Sequence, residues 1–148
     1  MSFEVISFTP TLNASILANN EVFMVDYEVQ GVFNKNLPRK LTSIVVLDGD
    51  DQNVAFDLVF SDRAITLGTA NEVISITDAN AANVLGVVKF VVATHAQDFI
   101  NSIVFVMTNI NLIMQPNGSS DSLFVSAIVR SGTPTFTAAG MKIKLGFE

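Results

Sequence analysis

Along most of the chain, apolar and polar residues alternate with a period of two, the pattern of a half-buried strand. Phe3 to Thr9 places Glu4, Ile6 and Phe8 on one face and Phe3, Val5 and Ser7 on the other, and Pro10 stops it. After a polar segment around Asn13 to Asn20, a second strand runs from about Val22 to Val32. Its residues Phe23, Val25, Tyr27 and Val29 face one way, with Asp26, Glu28 and Gln30 opposite. Gly31 to Arg39 has loop character, with Asn34, Asn36 and Pro38. Leu41 to Asp48 makes a third strand and Val54 to Ser61 a fourth, the latter alternating Val54, Phe56, Leu58 and Phe60 against Ala55, Asp57 and Val59. The Asp48-Gly49 turn between these two runs predicts a β-hairpin.

The period changes once. Ser75 to Gly86 holds the only good helix candidate, expected near residues 78–85: Thr77 or Asp78 can cap its start and Gly86 can end it. A helix of under three turns does not stand alone in water and must pack on a sheet. Val87–Ala93, Ile103–Thr108, Leu112–Gln115, Leu123–Arg130 and Met141–Phe147 return to strand composition, punctuated by Asn109, Pro116-Asn117-Gly118 and Ser131-Gly132-Thr133-Pro134. Eight or nine short strands with one small helix imply an all-β fold, a two-sheet antiparallel sandwich with jelly-roll connections. An immunoglobulin-like sandwich is the alternative, without the Cys and Trp hallmarks of antibody domains.

Composition sharpens this picture. The chain has 148 residues, 49% hydrophobic and 15% charged, which suits one compact domain over residues 1–148. Mean hydropathy is +0.47, so some apolar surface is expected to be covered by other protein. The net charge is −6 and the eight basic residues are scattered, Lys35, Arg39 and Lys40 being the only near-cluster. No nucleic-acid partner is expected, because phosphate neutralisation needs clustered cations. An anionic membrane is disfavoured for the same reason. The start of the chain lacks a basic segment followed by an apolar run, so no secretory signal is expected. The uncharged stretch Phe99 to Ser120 is broken by Asn101, Asn109, Asn111 and Pro116-Asn117-Gly118, and reads as two strands and a turn, not a membrane span.

Candidate chemistry is sparse. With no cysteine there are no disulfides, thiolate zinc sites or cysteine nucleophiles, and the single histidine precludes a multi-histidine metal site. His95, with Asp98 three residues on, is a candidate base and orienter, but no Gly-x-Ser-x-Gly turn supplies a nucleophile, and a polar loop role is expected. Asp48, Asp50 and Asp51 suggest a calcium loop, yet Gly at the sixth position and Glu at the twelfth are missing, so a solvated hairpin tip is expected. Twelve Phe and one Tyr, without Trp, read as core and not as sugar platforms. No catalytic, cofactor-binding or metal-ligating residue is assigned, and no enzymatic activity or cofactor is expected.

Several segments together carry a family likeness. They are Ser43 to Asp51, Phe56 to Phe60, Leu67 to Asn71, Ile76 to Ala81, Gly132 to Thr137 and Leu145 to Phe147. In this order they resemble small virion structural proteins of tailed bacteriophages. The resemblance implies a capsid decoration or cement protein: a β-sandwich, often a trimer, bound to the major capsid protein or other virion proteins. Such a protein is made in the host bacterial cytoplasm and located on the capsid surface. It would stabilise the assembled shell by mass action, with trimeric engagement multiplying each contact. The alternative is a tail, neck or fibre module recognising a host glycan or another virion protein. The expected contact segments are Thr11–Asn20, Gly31–Arg39 and Thr133–Ala139, with ordinary sandwich loops as the competing reading.

Overall fold

The computed structural model describes residues 2–148; Met1, the first residue of the expected domain, lies outside them. Ten strands and two short helices follow one another as β1 (Glu4–Phe8), β2 (Val22–Val29), β3 (Arg39–Asp48), β4 (Phe56–Ser61), α1 (Asp78–Ala81), β5 (Val84–Phe90), α2 (Val92–His95), β6 (Ala96–Asp98), β7 (Ile103–Met107), β8 (Leu112–Met114), β9 (Leu123–Val129) and β10 (Met141–Phe147). Sheet 1 has the order β1-β10-β3-β7-β6, with β8 continuing β7 along the same edge of β3. Sheet 2 has the order β2-β9-β4-β5. Every pairing is antiparallel.

The pairing has a simple logic. β1 pairs with β10, β2 with β9, β3 with β7 and β8, and β4 with β5. The chain is thus one long antiparallel hairpin with its tip between β4 and β5. Rolling that hairpin up adds the β3–β10 and β4–β9 pairings. This is the jelly roll expected from the strand count, and its strand order is not that of the immunoglobulin alternative.

Between the sheets lies a core of alternate side chains. Phe23, Phe56, Phe90, Phe105 and Phe136 form an aromatic cluster with ring centroids 4.9 to 6.3 Å apart. Edge-to-face and offset rings of this kind add to area burial. Sheet 2 is also covered on its outer side. Residues 62–77 fold over it, so that Ile65 and Leu67 pack on Val22, Val59 and Ile128. Hence β4 is buried along its whole length, whereas β3 alternates. Asp26 pins this cover: its carboxylate accepts the Ile65 and Thr66 N–H groups at 3.0 and 3.1 Å.

Four local expectations need correction. Asp48-Gly49 does not close a hairpin: β3 lies in sheet 1 and β4 in sheet 2, so the turn links the sheets. Val25 does not share a face with Phe23 and Tyr27. The pairing of β2 with β9 shifts register twice, between Val22 and Met24 and again between Met24 and Tyr27, where Asp26 adopts φ 46° and donates its N–H to Ser126 Oγ. Each shift reverses the side-chain phase, so Val25, which lies between the two, turns outward while Phe23 and Tyr27 face the core. β2 also ends at Val29, and the buried Val32 and Phe33 belong to the following loop. The helix near 78–85 is shorter than expected. Thr77 caps it, accepting the Asn80 N–H at 3.2 Å, but it ends at Ala81. Val84 and Leu85 already belong to β5, and Gly86 lies mid-strand opposite Phe60, where a Cβ would come within 2.5 Å of Leu112 Cδ2. α2 and the three-residue β6 are additions to the expected set.

Candidate interaction surface

The polar residues with possible chemistry are held by the backbone. The His95 Nδ1 accepts the Val91 N–H at 2.9 Å, and its ring meets Phe90 edge-on at 5.7 Å. The Asp98 Oδ1 accepts the Ile100 N–H at 2.7 Å. The structure does not join them as base and orienter: His95 ends α2 and Asp98 ends β6, and each closes a turn of its own where a polar loop is expected.

The acidic turn is a corner between the sheets and not a hairpin tip, with Gly49, Asp51 and Asn53 exposed to solvent. Asp48 is buried and accepts the Asp50 and Gln52 N–H groups at 3.0 and 2.9 Å. Burial raises its pKa above the ordinary 3.8, while backbone hydrogen bonds, chiefly from Gln52, work against the rise. Asp50 turns the other way and accepts the Thr137 N–H at 2.8 Å and its hydroxyl at 3.0 Å. The Gln52 Oε1 accepts the Thr135 N–H at 2.8 Å. Among the described residues, no group of three His, Asp or Glu is placed to hold a metal ion.

Two of the three expected contact segments pack on one another. Leu12 N–H donates to Ala138 O and Leu17 N–H to Pro134 O, both at 2.9 Å. Leu12, Leu17 and Phe136 are buried and tie these segments to the core, while Ile16, between Leu12 and Leu17, is 71% exposed. Gly31–Arg39 is more open. With Glu4 and Glu148 it lines a cleft of about 330 Å³. The one guanidinium there is held by three contacts: Arg39 Nη2 meets Glu4 Oε2 at 3.2 Å, Nη1 donates to Val32 O at 2.8 Å, and the group lies 4.8 Å above the centre of the Phe147 ring.

The outer side of sheet 1 leaves apolar side chains exposed, Leu47 and Val106 among them. Register places Ser7, Lys144, Val45 and Val106 in one cross-strand row. The next row holds Lys142, Leu47, Val104 and Gln97. Val45, Leu47, Val104 and Val106 thus form a two-by-two apolar block, Leu47 and Val106 being 36% and 45% exposed. These two rows contain no carboxylate. Among the described residues, neither Lys142 nor Lys144 has an ion-pair partner, whereas Arg39, Lys40, Arg63 and Arg130 all do. A flat apolar block flanked by two free cations is a surface built for protein contact more than for catalysis. Beyond it, the β6–β7 turn exposes Phe99 at 60% and Ile100 at 81%. Ile100 has φ 79°, a left-handed conformation costly for a β-branched residue. Residue patterns did not single out this face: the alternation in Leu41–Asp48 and in Met141–Phe147 signals an outward set, but only the pairing shows that the outward sets coincide.

No protein-family model matches the chain, and no curated protein matches it. Solved structures with some likeness include that of tomato aspermy virus, at TM-score 0.42 and 15% identity over 99% of this chain and 75% of the other. Another is Desmodium yellow mottle tymovirus, at TM-score 0.32 and 13% identity over 99% and 79%. A third is the native virion of Kashmir bee virus, at TM-score 0.27 and 10% identity over 97% and 67%. At TM-scores below 0.5 these likenesses bear on neither fold nor function.

Proposed function

We propose that the chain is a structural protein of a virion and, more narrowly, a decoration or cement protein of a tailed bacteriophage. On this reading residues 1–148 act as one domain without enzymatic activity or cofactor. The domain is made in the host bacterial cytoplasm and ends on the outer surface of the capsid, as an oligomer for which three copies are expected. It binds the major capsid protein only in the assembled shell and stabilises the shell by mass action.

The observation that carries this reading is the fate of the polar groups. The side chains that could do chemistry, His95, Asp48, Asp50 and Asp98, are occupied in holding turns and corners. Two cross-strand rows on the outer side of sheet 1 instead hold an apolar block beside Lys142 and Lys144, with no carboxylate among them. The ordered resemblance from Ser43 to Phe147 points the same way. Virion residence is tested by mixing the purified chain with empty shells of a tailed phage whose genome encodes it, then sedimenting the shells. Co-sedimentation at a fixed copy number per shell, with raised shell melting temperature, is expected. A chain that stays in the supernatant while binding sugars on a glycan array would overturn the reading in favour of a fibre or tail module. Light scattering on the free chain reads the copy number.

A further inference from the structure

The free face of sheet 1 carries charge of the wrong sign for a chain of net charge −6. Its two rows hold Lys142 and Lys144 and no carboxylate, around the block of Val45, Leu47, Val104 and Val106. Burying this face against itself across a two-fold axis would bring four unpaired lysines together in a low-dielectric contact. Like charges juxtaposed in this way are strongly disfavoured. The face therefore needs a partner surface that is apolar and acidic.

The same chain carries such a surface on its opposite side. The cover of sheet 2 exposes Val73 at 61% and Ile76 at 36%. Glu72 and Asp78 lie on either side of them in sequence, both exposed. The one cation of the cover, Arg63, is already bound to Asp62 through a 2.8 Å contact. Lys89 on β5 is the only cation on this side without an ion-pair partner among the described residues, and its register partner is Asp57. Glu72 and Asp78 thus answer Lys142 and Lys144 in number and sign, and each pair flanks exposed aliphatic side chains.

We propose that the outer face of sheet 1 packs on the acidic cover of sheet 2 of a second copy, head to tail. The contact is heterologous, joining two different patches. It closes into a ring where the rotation between copies permits and otherwise continues as a stack. It does not depend on shell binding, so the two readings fail separately.

The test is sedimentation equilibrium of the purified chain at low and high salt, with charge reversals on each patch. Wild type associates with rising concentration, and association weakens as salt screens the contact. K142E/K144E weakens association by at least about tenfold, and so does E72K/D78K. Mixing the two variants restores it, because each now offers the sign that the other needs. Circular dichroism checks that the variants fold; all four positions are exposed and α1 has no buried residue. The milder K142Q/K144Q and E72Q/D78N weaken association in the same direction and replace any reversal that does not fold. A wild type that stays monomeric at low salt overturns the proposal. So does association that survives either pair of substitutions, or a mixture that fails to associate.

Discussion

Gly140→Ala sets two physical effects of opposite sign against each other at the corner where the sheets meet. Gly140 does not have a positive φ, so alanine needs no forbidden backbone. Less conformational freedom in the unfolded chain would then stabilise the protein by about 0.4–1 kcal/mol. The structure says that a different term wins. A Cβ on Gly140 would overlap Asp50 Oδ2, and would lie 2.8 Å from its Cγ and 2.9 Å from Thr137 Oγ1. Asp50 must swing away and lose its bonds from the Thr137 N–H and hydroxyl. Hydrogen bonds to a charged group contribute about 1.5–3 kcal/mol, and partial exposure of this one puts the loss near the lower end, about 2 kcal/mol. The net expectation is a destabilisation of about 1–1.5 kcal/mol. For a domain of this size that lowers Tm by about 3–6 °C.

The assay is thermal and urea unfolding of wild type, G140A, D50A and the double variant. Because both single substitutions break the same latch, they are not additive. In the D50A background the alanine meets no carboxylate and becomes neutral or slightly stabilising. A G140A protein as stable as wild type, or additive losses in the double variant, would refute the clash as the controlling effect.

Three other outcomes follow from the same structure. Phe56→Ala removes the ring that touches Phe23, Phe90 and Phe105 at centroid distances of 6.3, 4.9 and 5.0 Å, and should cost about 3–5 kcal/mol in urea unfolding. Ile100→Gly releases a β-branched residue from φ 79° without uncovering any core, and should raise Tm by about 2–4 °C in a thermal melt. For Asp48, whose folded pKa is raised by burial, the folded state binds the proton more tightly than the unfolded state. Its contribution to stability therefore rises as pH falls toward 3.8. The Tm difference D48N minus wild type should accordingly be larger at pH 7 than near pH 4, and a difference that does not change with pH contradicts the buried carboxylate.

Strands were legible where alternation was clean, because period two states directly which side chains are buried. Partners were not legible. In a rolled hairpin the strands away from the tip pair with others far along the chain, as Glu4 does with Phe147, and local pattern holds no trace of that. The Asp48-Gly49 turn shows the failure most clearly. Asp-Gly reads as a hairpin because it reverses a chain in the fewest residues, but here the Asp48 carboxylate turns inward to bind two N–H groups and steers the chain across to the other sheet. Val25 failed for a related reason. Two register shifts against β9 flank it, and the second carries a hydrogen bond from Asp26 to Ser126, one hundred residues away. The corner chemistry at Asp50 and Thr137 was visible only as a pair of polar turns. The free face of sheet 1 was visible only as separate outward sets, none of them unusual alone.

The apolar excess of the chain can be followed through the fold, and it divides unequally between the two outer sides. On sheet 2 the chain covers its own surface: residues 62–77 fold over β4, held by the Asp26 carboxylate, and a second apolar cluster forms beneath them. On sheet 1 no segment among the described residues forms such a cluster, and of Val45, Leu47, Val104 and Val106 the second and fourth stay exposed. Solubility alone does not account for this difference, since polar residues at those four outward positions would leave every inward contact of β3 and β7 unchanged. The lysines of β10 point to the same conclusion. In a chain with fourteen carboxylates and eight cations, Lys142 and Lys144 stand beside this block without ion-pair partners among the described residues, and its two rows hold no acidic residue. An uncovered apolar block with a guarded charge pattern is what a surface needs when its cover comes from another molecule and the wrong cover must be refused.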